Sequence, residues 1–217
     1  MFPEIRITKD GSQTIYVPAL NEHYHSIHGA YTESMHVFIQ NGFIKKLGEN
    51  IKKIKILEIG LGTGLNALLT LEHAINKQIS YTALEPFPLV PDIIHQLHFE
   101  KIADCRHFKT IHYSEFNTEI SLAENFTFTK IDQRLEDVIF HEKFDLIYFD
   151  AFGPKAQPDI WCLQNFEKLY IATNENGILV TYCSKGDVRR NMIAAGYFVE
   201  KLPGPPGKRE MLRATKK

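Results

Sequence analysis

The stretch "ILEIGLGTGLN" (residues 56–66) restricts the folds open to this chain more than any other. The apolar run Ile54–Ile59 reads as a buried strand, and Asn66–Ile75 carries apolar residues at helical spacing. Between them Gly60, Gly62 and Gly64 remove three side chains where the backbone must turn sharply and let a ligand come close. The free N–H groups of the helix that follows form a polar, slightly positive cradle. A strand, a glycine turn and a helix begin a βαβ unit, so a parallel sheet covered on both faces is expected.

The rest of the chain continues the alternation. Ile79–Leu84 reads as a strand and Leu89–Leu97 as a short helix after two prolines. "TEISLAENFTFTKID" (118–132) reads as two strands around Glu124-Asn125. Residues 144–149 form a strand, 160–173 a helix, Gly177–Cys183 a strand and Asp187–Ala195 a helix. "YFVEKL" and "REMLRA" close the chain around "PGPPGK" (203–208). A turn that short forces an antiparallel pair, because a parallel crossover needs a dozen or more residues. Ahead of the alternation, "IRITKDGSQTIYV" (5–17) has the pattern of a hairpin turning at Asp10-Gly11. Residues 29–47 have helical spacing interrupted at Asn41-Gly42. The expected architecture is α/β: a Rossmann-like domain over 51–217, preceded by a hairpin-and-helix extension over 1–50. Its sheet should be mainly parallel and seven-stranded, with an antiparallel last strand.

A chain of 217 residues, 44% hydrophobic and 24% charged, fits one such domain with a small decoration. The residues before Asp10 contain no long apolar stretch, so no signal peptide is expected, and no apolar stretch approaches the ~20 residues of a membrane span. Cys105, Cys162 and Cys183 show no C-x-x-C spacing and cannot all pair, which points to a reducing, cytoplasmic setting. Net charge is −1, but residues 185–217 carry nine Lys/Arg against three acids. Lys185, Arg189, Arg190, Lys208 and Arg209 are therefore the candidate contacts for a polyanion, with a merely solvated surface as the plain alternative. His23, His25 and His28 form H-x-H-x-x-H but lack a carboxylate or cysteine at ligand spacing, so no metal is expected. His95, His98, His107 and His112 receive no role.

A glycine loop gains meaning from the acids around it. Glu85 ends the next strand, 21 residues after Gly64, where a carboxylate can take both hydroxyls of a ribose. Two cofactors compete for that arrangement. A dinucleotide site prefers G-x-G-x-x-G and a pyrophosphate on the helix; here the spacing is G-x-G-x-G, with Glu58 two residues ahead of it. An acid there repels pyrophosphate and can hold a cationic amino-acid head group, which favours S-adenosyl-L-methionine. Asp132, after the strand at 126–131, is placed to accept from an adenine amino group. A parallel sheet closed by a reversed hairpin strand also looks like the class I methyltransferase fold.

"FDLIYFDAFGPK" (144–155) adds the reacting group. Asp150 ends a buried strand and faces the same crevice as Glu58 and Glu85. An amine substrate reaches neutral pH mostly as ammonium, and a carboxylate beside it can both aim it and take its proton. Phe152 offers an aromatic face for a flat base or a sulfonium. Gly153, Pro154 and Pro158 shape the loop, Trp161 is expected to anchor it, and Asp159 is expected to cap the helix that follows.

"FDLIYFDAFGPKAQPDIW", together with "ILEIGLGTGLN", "YHSIHGAYTESMHVFI" and "GKREML", resembles the tRNA wobble-uridine 5-aminomethyl methyltransferase family called MnmD, the free-standing methyltransferase half of bifunctional MnmC. The likeness runs from about Tyr24 to Leu212. It implies methyl transfer from S-adenosyl-L-methionine to the amine of 5-aminomethyl-(2-thio)uridine at position 34, in the anticodon region of tRNA. It puts Gly60, Gly62, Gly64 and Asn66 in the cofactor loop, Glu85 on the ribose, Asp132 on the adenine side, Tyr24 beside the cofactor and Asp150 at the substrate amine. Bifunctional relatives attach a flavin oxidase domain; none is expected here, and the aminomethyl substrate is then expected to be made elsewhere. "KAQPD" also replaces the Lys-Asn-Pro more usual in the substrate loop. Two other readings stand beside it. A methyltransferase for a small-molecule amine would share every cofactor residue without needing the basic face. A non-catalytic RNA-binding module would have no use for Asp150.

Overall fold

The computed structural model describes residues 3–217; Met1 and Phe2 of the expected N-terminal extension lie outside the described residues. The chain opens with β1 (Glu4–Ile7), β2 (Gln13–Val17) and β3 (Glu22–His23), a small antiparallel sheet in that order. Gly11 takes φ +83 at the β1–β2 turn. Asp10 fixes the turn by accepting from Thr8 Oγ1 (2.8 Å) and from the Ser12 N–H (3.0 Å).

A single helical rod follows: α1 (Ala30–Ser34), a π-helical stretch (Met35–Phe43) and α2 (Ile44–Leu47). The break expected at Asn41-Gly42 does not occur. Gly42 instead lets the rod lie close on the sheet, since a Cβ there would sit 3.1 Å from Val180 Cγ2. Widening the helix over this segment also brings Asn41 Nδ2 back to the His36 carbonyl, 2.7 Å away.

The main sheet is built from β4 (Lys53–Ile59), α3 (Leu65–His73), β5 (Gln78–Leu84), α4 (Pro91–Gln96), α5 (Phe108–Tyr113), β6 (Glu119–Ala123), β7 (Phe126–Ile131), β8 (Phe144–Phe149), α6 (Leu163–Ala172), β9 (Thr173–Thr181), α7 (Gly186–Ala194), β10 (Phe198–Pro203) and β11 (Glu210–Thr215). Its order is β10-β11-β9-β8-β4-β5-β7-β6. The inner pairs β9–β8, β8–β4, β4–β5 and β5–β7 are parallel, and β11 runs antiparallel to β9 as expected. The sheet has eight strands rather than seven, because the hairpin at Glu124-Asn125 places β6 antiparallel on β7 at the far edge. The helix α5 and the 3-10 turn before it (Cys105–His107) had no counterpart in the sequence reading.

Alternate residues of the inner strands enter two cores. Ile56, Leu146, Tyr148 and Val180 pack on one face with Val37, Phe38 and Phe43 of the rod. Leu57, Ile147, Phe149 and Leu179 pack on the other with Trp161, Phe166 and Leu169. Strands buried on both faces are apolar almost throughout, which is why they were visible in the sequence. Each fully buried Phe or Leu adds about 1.5–3 kcal/mol. Strand order reverses direction at β4, between β5 and β8, and the crevice outside the carboxyl ends of these three strands is where an open α/β sheet binds ligands.

Candidate active site

Main-chain bonds tie the three strand tips together. The Gly60 N–H donates to the Leu84 carbonyl and the Asp150 N–H to the Ile59 carbonyl, each at 3.0 Å. Gly60 and Gly62 have φ of +88 and +51. Side chains there would be obstructed as well as strained: a Cβ at Gly60 would lie 3.0 Å from the Asp150 carbonyl oxygen, and one at Gly62 would lie 2.9 Å from Tyr24 Cδ1. Gly64 also has positive φ and sits directly before α3, against His112.

Glu85 stands just beyond β5 and accepts two backbone N–H bonds, from Gly62 to Oε2 (2.8 Å) and from Phe87 to Oε1 (2.9 Å). Each oxygen keeps a second lone pair. Burial raises its pKa, against the lowering effect of those N–H groups. Glu85 forms the wall of a cavity of about 280 Å3 together with Gly60, Gly62, Phe87, Asp150 and Phe152. Tyr24 and Tyr182 line it too. Tyr24 meets Phe152 edge-on, with ring centroids 4.9 Å apart, and burial followed by the nearby Glu85 charge raises its hydroxyl to about 12.

The Asp150 loop is held by side chains as well as main chain. Trp161 Nε1–H donates to the Phe152 carbonyl at 2.8 Å, as an anchor should. Gln157 accepts from the Phe152 N–H (3.1 Å), and the Tyr182 hydroxyl donates to the Ala151 carbonyl (2.8 Å). Asp159 does not cap a helix: it opens a 3-10 turn (Asp159–Trp161), and α6 begins after Cys162 with no side-chain cap.

Below Asp150 lies a buried polar cluster. The Asn66 amide donates both to Asp150 Oδ2 (2.8 Å) and to Glu58 Oε1 (2.9 Å), while the Tyr81 hydroxyl lies 2.8 Å from Glu58 Oε2. Glu58 is 0% exposed. Burial drives its carboxyl up to about 8, with the hydrogen bonds from Asn66 and Tyr81 opposing and the Glu85 charge assisting. Asp150 is raised too, by burial and then by the charges of Glu58 and Glu33.

Several sequence-nominated residues fall elsewhere than expected. Glu58 and Asn66 do not line the cavity; they sit beneath it, because α3 starts inside the core and turns Asn66 toward the sheet. Asp132 is exposed past the end of β7, and the chain bends there so that Gln133, Arg134, Leu135 and Glu136 reach the cavity instead. Lys208 is not a free cation: its Nζ donates to buried Glu33 (2.6 Å) and lies 3.7 Å over the Tyr182 ring. Arg190 pairs with Asp187 one helical turn away. Lys185 and Arg209 are exposed, and Arg189 is half-buried.

Other residues escaped the sequence reading. Phe87 is 57% exposed at the cavity mouth with the Arg134 guanidinium 5.2 Å from its ring centroid. His25 and His112 grip Thr63 of the glycine loop from two sides. His25 Nε2 lies 2.7 Å from the Thr63 hydroxyl, and His112 Nε2 lies 3.0 Å from the Thr63 carbonyl, to which it donates. Burial lowers both imidazoles to about 4, so they are neutral clamps. No local motif announced them, since each acts on a residue 38 or 49 positions away. Among the described residues no group of three His, Cys, Asp or Glu is placed to hold a metal ion, and no helix is long and apolar enough to cross a membrane.

Known proteins resemble this chain in sequence and in fold. A family model described as S-adenosyl-L-methionine-dependent methyltransferase matches residues 89–217. The tRNA 5-methylaminomethyl-2-thiouridine biosynthesis bifunctional protein MnmC of Burkholderia multivorans is 25% identical over 218 residues, covering 92% of this chain and 33% of that protein. Its counterpart in Hydrogenovibrio crunogenus is 27% identical, covering 87% of this chain and 30% of that one. The chain thus spans about a third of the length of these relatives. The crystal structure of MnmC2 from Aquifex aeolicus superposes with a TM-score of 0.81 at 25% identity, covering all of this chain and 71% of the other.

Proposed function

Because this chain belongs to the S-adenosyl-L-methionine-dependent methyltransferase family, we propose that its methyl acceptor is a wobble-uridine amine: 5-aminomethyl-(2-thio)uridine at position 34 of tRNA becomes 5-methylaminomethyl-(2-thio)uridine. The observation that carries the reading is Asp150, a carboxylate on the cavity wall at a strand tip, held on a buried amide and flanked by aromatic rings. The relatives, named for tRNA 5-methylaminomethyl-2-thiouridine biosynthesis, suggest the substrate class.

The residues present fit the cofactor. Gly60 and Gly62 offer main chain where any side chain would collide, and Glu85 has lone pairs left for two ribose hydroxyls. S-adenosyl-L-methionine, when bound, supplies a methyl group on a sulfonium and is left as the neutral thioether. Glu85 and the glycine loop would hold it, with Tyr24 and Phe87 beside it. Asp150 takes a proton from the substrate ammonium: the N–H bond breaks, the carboxyl O–H bond forms and the nitrogen lone pair is freed for attack. The rings of Tyr24, Phe152 and Tyr182 keep water from that lone pair. Asp150 afterwards returns its proton to solvent through the cavity mouth. Residues 1–50 serve as an extension that roofs the site through Tyr24, and residues 51–217 carry the methyltransferase domain. The tRNA meets Lys185, Arg189 and Arg209, and the reaction belongs in the cytoplasm.

The commitment of Lys208 and Arg190 to partners within the chain thins the basic face, and this favours the second reading, a small-molecule amine acceptor. Incubation with S-adenosyl-L-methionine and tRNA bearing 5-aminomethyluridine, followed by mass spectrometry of the nucleosides, separates the two. The expected product is 5-methylaminomethyluridine. Unchanged tRNA alongside methylation of free amines would replace this reading with the second.

A further inference from the structure

Four carboxyl groups crowd the floor of this site, and one lysine stands near them. Glu58 faces Asp150 across Asn66, Tyr81 on β5, Tyr148 on β8 and, farther off, Glu85. Asp150 faces Glu58, Glu33 of α1, Tyr182 of the β9 end and Lys208. Lys208 is already bonded to Glu33. No ion pair among the described residues includes Glu58 or Asp150. Two carboxylates linked through a single amide in a buried setting do not both ionise. The proton belongs on the member sealed from water. Glu58 is fully buried below the cavity, whereas Asp150 opens into it.

Asn66 makes the link directional. Both of its amide hydrogens are used, one on each acid, and its Oδ1 is buried without a partner among the described residues. An asparagine that leaves its own acceptor unsatisfied is held where it is by the two bonds it donates.

We propose that Glu58 is a positioning residue for Asp150, not a ligand of the cofactor: it stays neutral and, through the Asn66 amide, keeps Asp150 aimed into the cavity without placing a second negative charge beneath it. Glu58 Oε2 accepts from the Tyr81 hydroxyl 2.8 Å away and Oε1 accepts from the Asn66 amide, so the carboxyl proton occupies a remaining lone pair. The burial that lifts this carboxyl to about 8 keeps the proton there through neutral pH. Asp150 can then accept the substrate proton without meeting a second negative charge beneath it. This rests on the reading of Asp150 as the proton acceptor, but the state of Glu58 can be measured without any methyl acceptor.

Glu58→Gln tests it, because glutamine copies the shape and neutrality of the protonated acid. Calorimetry with S-adenosyl-L-methionine at neutral pH should give a dissociation constant within about twofold of wild type. A cofactor ligand would instead lose a charged hydrogen bond, on the order of 10- to 100-fold in affinity. Infrared difference spectra of the wild type against Glu58→Gln should show a protonated carboxyl stretch at pH 6 that vanishes with a midpoint near 8. Asn66→Ala, which cuts the bridge but leaves both acids, should lower kcat while leaving cofactor affinity within the same twofold. Absence of the protonated band, or a large loss of cofactor affinity in Glu58→Gln, overturns the proposal. Should tRNA prove not to be the acceptor, the calorimetric and infrared results still decide the role of Glu58.

Discussion

The two sides of the cleft are built by different means. At the tips of β4 and β5, main chain does the work: three glycines at positive φ, and Glu85 fixed by two backbone N–H groups. At the tip of β8, side chains from distant segments do it. Asp150 hangs on Asn66, its loop on Trp161 and Tyr182, and the far wall on the Lys208–Glu33 pair. A site made of backbone tolerates few substitutions at the glycines, but its acid needs no side-chain partner. A site made of side chains can tune the charge of its acid, and it depends on every member. The first arrangement suits holding a cofactor; the second suits moving a proton.

Substitutions on opposite sides should therefore separate binding from turnover. The largest effect is expected from Asp150→Asn, which keeps shape and loses the proton acceptor: turnover should fall by ~10²–10⁴ with cofactor affinity nearly intact. Glu85→Ala should do the reverse, weakening S-adenosyl-L-methionine by about 1.5–3 kcal/mol in calorimetry. An unchanged dissociation constant there would mean that the backbone-built side does not hold the cofactor.

The comparison extends to pH. His25 and His112 have folded values near 4, below the ordinary 6.5, so the stability they confer is full above about 6.5 and is lost as pH falls toward 4. Each should cost on the order of 1–3 kcal/mol at the acid end. Denaturant melts of His25→Gln should show a shallower acid limb than wild type. Glu58 acts in the opposite sense. Its folded value is raised, so its stabilising contribution is present below about 4.5 and is lost as pH rises toward 8. Glu58→Gln should gain stability over wild type across that window, and a constant difference would mean that the carboxyl is already ionised. The smallest effect concerns the rim. Lys185→Ala should reduce the log–log salt slope of tRNA affinity by roughly one, whereas Lys208→Ala should lower turnover through Glu33 and leave the slope unchanged.

Legibility in the sequence followed the same division. The glycine loop, Glu85 and the alternating strands were readable because backbone sites depend on local spacing, and twice-buried strands are apolar almost throughout. Asp150 was readable as an acid ending such a strand. Glu58 and Asn66 could be located but not understood: spacing put them near the loop, and only the packing of α3 against the sheet shows them beneath the cavity. Asp132 failed for a related reason, since a strand's end does not reveal which way the chain bends after it. Lys208 was counted as surface charge because its partner, Glu33, lies 175 residues earlier. The eighth strand came from a hairpin that was seen in the sequence but not counted into the sheet.

The central claim is that Asp150 removes the proton from an amine bound beside it. Single-turnover methyl transfer by wild type and Asp150→Asn, on tRNA bearing 5-aminomethyluridine across a range of pH, tests it most directly. The variant should be slow at neutral pH and should recover part of its rate as pH rises, because solution then supplies the free amine that Asp150 no longer makes. A wild-type rate for Asp150→Asn at neutral pH, or a defect that no rise in pH relieves, would contradict the assignment.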